Sequence, residues 1–485
     1  MSLGKKAFKS GSWYALFTFA SQGFSWLITF WVARLLMPDD YGLMALTTIF
    51  TGYAAWFSEL GLGAAIIQRE SPTQEDLSSI FWFTLGVGVL LAIACFPIAS
   101  ISAWFFEEPR LIALTRTIAI IFLINSVQIV PGNLLRKDME FKKLGFIKMI
   151  AIFISCVYML ISAYRGAGVW SLLGGQILLA FVNTLLVVCL VRWYPRRHFD
   201  FKEVSSYIKY GVRIAIGRTL FYITDNSDKF IVGKKLGAVD VGYYSFALQL
   251  SQLPTEKITV MINQISFPLF SKLQHSKEEF NRHYLKIIKI IATLVLPLFV
   301  GGFLVAEELI FVVLGDKWSP IIILFKYLCL AQIITSLSAI NNIVHNALGK
   351  AELSMYFNGL CAVLMTISFY IAAVYYGLDA MIFPWCGTYF LLCAGWIYFT
   401  LYKLGISIVQ YISNILFVFI SVGLMYISVK GYSIYSYLLP WADSGQILTL
   451  ITKIVVGGLV YVGTLSVFDR ELFRDLRALK HSKSR

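Results

Sequence analysis

Phe221-Tyr-Ile-Thr-Asp-Asn-Ser-Asp-Lys-Phe-Ile-Val-Gly-Lys-Lys-Leu-Gly237, continuing to Asp240-Val-Gly-Tyr-Tyr244, decides how this chain is read. The stretch reads as a helix that crosses a membrane and stops at a tight glycine turn. It carries charge where a span should carry none. Arg218, Tyr222, Asp225 and Lys229 follow at i, i+4, i+7 and i+11, so they project from one helix face. Ionisable side chains at bilayer depth are costly and face a bundle interior or a water-filled cavity. Asp225 and Lys229 are placed to pair at i, i+4, with the acid on the favoured N-terminal side.

The stretch has a partner two hundred positions earlier. Gly211, Phe230, Val232, Leu236, Asp240 and Gly242 are matched by Gly11, Phe30, Val32, Leu36, Asp40 and Gly42, and Lys234 is matched by Arg34. The charged stripe falls on Thr18, Gln22, Ser25 and Thr29, a polar stripe of the same spacing. Pro97 and Pro297 keep the same offset. The chain therefore reads as two related halves, each opening with a helix whose polar face points inward.

Composition agrees with a membrane protein. Of 485 residues, 58% are hydrophobic and 14% charged, whereas soluble domains are about a quarter charged. Apolar runs recur from end to end, and they are too long and too little alternating for a transmembrane β-barrel. The fold class expected is all-α and polytopic, with about 14 transmembrane helices. The candidate spans are 11–36, 42–67, 78–105, 112–134, 144–164, 168–192, 208–233, 241–270, 286–313, 321–348, 353–376, 379–402, 407–429 and 447–467. The first run is too long for a signal-peptide core and has no A-x-A-like cleavage site, so it reads as a retained span.

With the N-terminus inside, 26 lysines and arginines fall in cytoplasmic segments and 7 in the opposite loops. That asymmetry predicts both termini in the cytoplasm. The net charge of +14 is thereby explained by one-sided loops. No basic stripe with interleaved aromatics lies outside the spans, and no nucleic acid is expected as a partner. Span 7 repeats span 1 six spans later. Six is even, so the halves insert the same way round, as a parallel repeat about the membrane normal. The domains expected are an N-lobe over 1–200, a C-lobe over 201–405, two further spans within 406–468 and a basic cytoplasmic tail over 469–485.

The seven cysteines lie in apolar runs without C-x-x-C spacing and the five histidines are scattered. No metal site, disulfide framework or cofactor is expected. P-loop, G-x-S-x-G and H-E-x-x-H motifs are absent, and the chain is not expected to be an enzyme.

Several other residues carry two readings each. Glu59 in span 2 is a proton-coupling carboxylate or a partner of Arg218. Glu256 and Lys257 follow Pro254 and read as a local pair or as cavity groups. Arg116, Lys326 and Lys453 lie near span ends, where snorkelling to the interface competes with lining a cavity. Phe280, Tyr284, Ile287 and Ile288 oppose Lys277, Glu278, Arg282 and Lys286. That pattern suits a short interfacial helix on an anionic leaflet, or equally a solvated extension of span 9.

The stretch 226–247 resembles the polysaccharide-transporter branch of the multidrug/oligosaccharidyl-lipid/polysaccharide flippase superfamily. Gly61-Leu-Gly-Ala-Ala-Ile-Ile-Gln-Arg69, Leu134-Leu-Arg-Lys-Asp-Met-Glu-Phe-Lys-Lys143 and Phe267-Pro-Leu-Phe-Ser-Lys-Leu-Gln274 are similar to its colanic-acid-exporter-like members. The resemblance implies alternating access between two lobes around a hydrophilic cavity in the bacterial inner (cytoplasmic) membrane. It implies movement of undecaprenyl-diphosphate-linked oligosaccharide units for capsule, exopolysaccharide or O-antigen assembly. The partners implied are the lipid-linked oligosaccharide, bilayer lipids, and polysaccharide polymerase and export machinery. Span 1 lacks the charged pair of the related lipid II flippases, so no residue role is carried over from them. The candidate cavity residues are Arg218, Tyr222, Asp225, Asn226, Asp228, Lys229, Gln22, Ser25 and Glu59, with Arg218 expected to meet the diphosphate. A cation-coupled drug antiporter of the same superfamily is the alternative. A membrane-embedded polymerase or ligase is a further one, opposed by the short outer loops.

Overall fold

The structure, a computed structural model, describes residues 3–59, 66, 72–201, 204–205, 222, 225–436 and 445–469. Every regular element in them is helical. The chain is a multi-pass membrane protein: eleven described helices are long and apolar enough to cross a bilayer. Residues 1–245 and 246–485 form two compact units.

The first unit holds α1 (Leu3–Leu35), α2 (Pro38–Glu59), α3 (Gln74–Phe106), α4 (Leu111–Ile118), α5 (Ile120–Lys137), α6 (Phe141–Tyr164), α7 (Val169–Val191) and α8 (225–236). Sequence chemistry sets the helix ends. Thr73 caps α3: its hydroxyl accepts the Asp76 N–H at 3.1 Å, and the Asp76 carboxylate accepts the Thr73 N–H at 2.9 Å. Gly237, at φ +92°, closes α8, as the glycine turn in the sequence predicts. The fourth predicted span is interrupted at Ala119, which separates α4 from α5. Helix α1 lies along α6, with Phe17 on Phe146 and Phe24 on Phe153 at ring separations of 5.8 and 4.9 Å.

Helix α9 (Ala238–Leu273) leads into the second unit. There follow α10 (Lys277–Val313), α11 (Ile321–Ala347), α12 (Ala351–Tyr376), α13 (Phe390–Leu404), α14 (Ile408–Ser436) and α15 (Gln446–Phe468). Pro254, Pro268 and Pro297 sit inside continuous helices, whereas Pro384 opens a wide π turn, Pro384–Tyr389, ahead of α13. The proline removes a backbone donor, and the ladder loosens around it.

The structure decides the reading of residues 277–288 against an interfacial helix. Helix α10 runs unbroken through them, and Phe280, Tyr284 and Ile288 are buried. The Tyr284 hydroxyl donates to Asn341 Oδ1 at 2.9 Å, and the Phe280 ring lies 4.7 Å from that of Phe270. Three of the four residues of the apolar face are thus covered by protein, and Ile287 is half-buried.

Snorkelling is likewise overturned for Lys453. Its side chain is 9% exposed and forms an ion pair with Glu308 of α10. At the other end of the same two helices, Lys289 pairs with Asp469 at 2.5 Å. From Lys289 to Glu308 along α10 is roughly 28 Å at 1.5 Å per residue, close to the thickness of a bilayer core. Two ion pairs thus fasten α15 and the residue after it to α10 at points about a bilayer core apart along the helix. Lys326 is 3.6 Å from Glu307, and the Arg116 guanidinium lies over the Phe96 ring.

Candidate functional site

The polar stripe of span 7 is described from Tyr222 and from 225 onward, while Arg218 lies outside the described residues. Tyr222 is engaged with α2. Its hydroxyl donates to the Ile49 carbonyl at 2.7 Å and approaches that of Thr48 at 3.1 Å. Its ring lies 5.5 Å from Tyr53. Gly52 makes room for it, because a methyl group there would stand 2.7 Å from the phenol oxygen.

One turn on, the Asn226 amide donates to the Tyr222 carbonyl at 3.1 Å. The Lys229 ammonium donates to Asn226 Oδ1 at 3.3 Å. Among the described residues no ion pair joins Lys229 to Asp225, although the spacing permits one. Asp225 is exposed, and Asn226 and Lys229 are half-buried. Together they offer an acceptor, an amide and a cation within about one helical turn, a set suited to a ligand rich in hydroxyl groups.

Asp228 points elsewhere. It is 2% exposed and accepts the Tyr244 hydroxyl at 2.8 Å and the Lys229 N–H at 2.7 Å. Tyr244 is fully buried, so this carboxylate works inside the fold, tying α8 to the start of α9. The matching positions of the first repeat are Ile28 and Met44; the same joint is apolar there.

On α1, Ser25 hydrogen-bonds the Cys156 thiol of α6, and Gln22 is half-buried. The Glu59 side chain lies outside the described residues, as does that of Lys257. The structure therefore brings Asp225, Asn226 and Lys229 together on α8, with Tyr222 joined to them through the Asn226 amide and Asp228 and Ser25 each turned toward a packing partner.

Sequence reasoning missed the ion pairs at the end of α8 and around Arg110. Lys234 meets Glu107 at 2.8 Å and stands over the Phe105 ring, which stacks 4.6 Å from Phe230. The hydrogen bond and charge of Lys234 hold the Glu107 carboxyl below the usual carboxylate range. Arg110 bridges Glu108 and Asp39 at 2.8 and 2.5 Å and similarly lowers Glu108. Pairs made across turns and between helix ends leave no periodic signal. Among the described residues no cluster of His, Cys, Asp and Glu is arranged to hold a metal.

Residues 31–323 match the model of a family described as polysaccharide biosynthesis protein. Curated relatives include an uncharacterized membrane protein in the cps region of Klebsiella pneumoniae, 26% identical over 99% of this chain and 98% of that protein. The teichuronic acid biosynthesis protein TuaB of Bacillus subtilis is 27% identical over 66% of this chain and 67% of its own length. The lipopolysaccharide biosynthesis protein WzxC of Escherichia coli is 24% identical over 74% and 73%. Among solved structures, the lipid II flippase MurJ in an inward closed conformation superposes with a TM-score of 0.74 at 14% identity, over 95% of this chain and all of that one. An inward-facing multidrug resistance MATE transporter superposes at 0.63 and 15% identity, over 78% and 93%. The fold is of the MurJ and MATE type.

Proposed function

The chain belongs to the polysaccharide biosynthesis protein family, and from that premise we propose that it flips undecaprenyl-diphosphate-linked oligosaccharide units across the bacterial inner membrane. The names of its relatives, in lipopolysaccharide and teichuronic acid biosynthesis and succinoglycan transport, support this reading. The observation that carries it is the exposed Asp225 beside Asn226 and Lys229 on α8, within the stretch 208–233 that the sequence marks as a candidate span. Charge maintained there is costly unless a polar ligand or water meets it.

In this reading both termini are cytoplasmic and fourteen spans cross the bilayer. Helices α2 and α9, together with the stretch 208–233, supply the three beyond the eleven that length and apolarity single out. The lobes are the repeats 1–200 and 201–405, with 406–468 appended and 469–485 as a cytoplasmic tail. Arg218 takes the diphosphate. Tyr222, Asp225, Asn226, Lys229 and Gln22 line the sugar path, and Glu59 senses an ion gradient. Asp228 and Ser25 support the walls of the path. The chain carries out no covalent chemistry, and polymerase and export machinery act on what it delivers.

The test is a deletion strain whose undecaprenyl-linked intermediates are extracted and identified by mass spectrometry. A complete oligosaccharide unit trapped on the diphosphate lipid is expected, and it names the sugar. Arg218→Ala should reproduce that accumulation with normal amounts of protein in the membrane. Full export by the variant would sink the role of Arg218. Altered drug sensitivity without accumulation would replace the flippase by an antiporter.

A further inference from the structure

The segment leaving α7 is held along its length. Residues 192–200 follow the first turns of α3, and α3 side chains satisfy their main chain. Trp193 Nε1–H donates to Gln74 Oε1 at 2.7 Å, and the Gln74 amide donates to the Tyr194 carbonyl at 2.8 Å. The Ser78 hydroxyl accepts the Arg196 N–H at 2.9 Å, and Trp82 Nε1–H donates to the Arg196 carbonyl at 2.8 Å. The Ser79 hydroxyl accepts the Asp200 N–H at 3.1 Å. Gln74, Ser78 and Trp82 stand at i, i+4 and i+8, one stripe of the helix. The Trp193 ring packs 5.8 Å from Phe81, against a core that includes Ile80 and Val130.

A strap fixed this way displays its other side chains outward. Tyr194 is 69% exposed, Phe199 52% and Phe201 59%. Arg192, Arg196 and Arg197 are exposed between them, and among the described residues no ion pair engages these three guanidinium groups. Large aromatic rings held out beside unpaired arginines are poorly suited to bulk water.

The level of the strap fits a membrane surface. Helix α3 has 33 residues, roughly 50 Å at 1.5 Å per residue, about 20 Å more than a hydrocarbon core. Residues 74–82 occupy its first ~12 Å, so the strap along them lies at headgroup height. Aromatic rings favour that layer, and arginines favour an acidic leaflet.

We propose that the strap 192–201 is a binding site for the headgroups of acidic phospholipids in the cytoplasmic leaflet. Arg192, Arg196 and Arg197 take the phosphates, and Tyr194, Phe199 and Phe201 seat among the glycerol and upper acyl groups. Phe280, Tyr284 and Ile288 beside the basic residues of 277–288 are buried in protein, whereas Tyr194, Phe199 and Phe201 of the strap are exposed. The choice of leaflet rests on the orientation proposed above, whereas the lipid contact itself does not depend on what the protein transports.

The experiment uses the full chain in phosphatidylcholine nanodiscs with and without phosphatidylglycerol. A photoreactive benzoylphenylalanine replaces Phe199, and the irradiated adduct is identified by mass. The expected result is a phospholipid adduct enriched several-fold in phosphatidylglycerol. Joint Arg192→Ala, Arg196→Ala and Arg197→Ala should abolish the enrichment, and lysine at the same three positions should retain it. Hydrogen exchange at the Arg196 and Asp200 amides checks that the strap stays docked in each variant. An adduct indifferent to phosphatidylglycerol, loss of enrichment with the lysine variant, or displacement by added undecaprenyl diphosphate alone would each overturn the proposal.

Discussion

Gly42 and Gly242 meet through their main chains. A methyl group on Gly42 would lie 1.8 Å from the Ala238 carbonyl oxygen, and one on Gly242 would lie 1.9 Å from that of Pro38. The two glycines stand 200 positions apart in the sequence, and so do Pro38 and Ala238. The same surface is used twice, reciprocally, as in an isologous contact about a local two-fold axis. Both obstructing oxygens are backbone, so neither can swing aside. Gly42→Ala and Gly242→Ala should each cost about 1–3 kcal/mol, the usual scale of overpacking, and lower the thermal midpoint of the detergent-solubilised protein. Gly23, where an added methyl meets nothing within 4 Å, is the control, and alanine there should be silent or stabilising. An unchanged midpoint for both variants would show that the helices part without cost.

Tyr222→Phe separates two roles of one side chain. The hydroxyl fastens span 7 to α2 through the Ile49 carbonyl. Losing it should cost about 1 kcal/mol, because that oxygen keeps its own helical partner. Export should continue at a reduced rate. Complete loss of export at undiminished stability would make the phenol a ligand contact.

Lys453→Met removes one half of a largely buried ion pair and leaves the Glu308 carboxylate without it. The expected loss is about 3 kcal/mol, read as a lower thermal midpoint. Adding Glu308→Leu should restore much of it, since packed apolar atoms replace both charges. A double variant that is additive in its losses would show that the two charges act separately.

The Glu107–Lys234 contact carries a pH dependence of known sign. Lys234 lowers the pKa of Glu107, so the contact is fully present above the unfolded carboxylate value of about 4. It is lost as pH falls through the lowered value. The protection of amides in residues 105–110 against hydrogen exchange, corrected for the intrinsic rate, should fall in that acid range, and Glu107→Gln should remove the part that Lys234 supplies while leaving that of Glu108 and Arg110. Glu107 is exposed, so the change should remain local.

The hydrophobic pattern alone determined that the chain is helical and crosses a membrane many times, because run length and charge depletion are local properties. The offset of two hundred residues was equally legible, and so was the stop of α8 at Gly237, where only a glycine is at ease at φ +92°. Which polar face meets what was not legible. Helical spacing placed Asp225 and Lys229 together, but rotamers and neighbours gave the ammonium to Asn226. It placed Asp228 on the same helix but could not show Tyr244 waiting on the next one. Lys453 near a span end reads as a snorkelling lysine until α10 brings Glu308 against it. The apolar face at 277–288 reads equally as an interfacial helix or as an extension of span 9 until the fold buries Phe280, Tyr284 and Ile288. A sequence records that a face is apolar; only the tertiary structure decides whether protein or lipid covers it, because both remove the same surface from water.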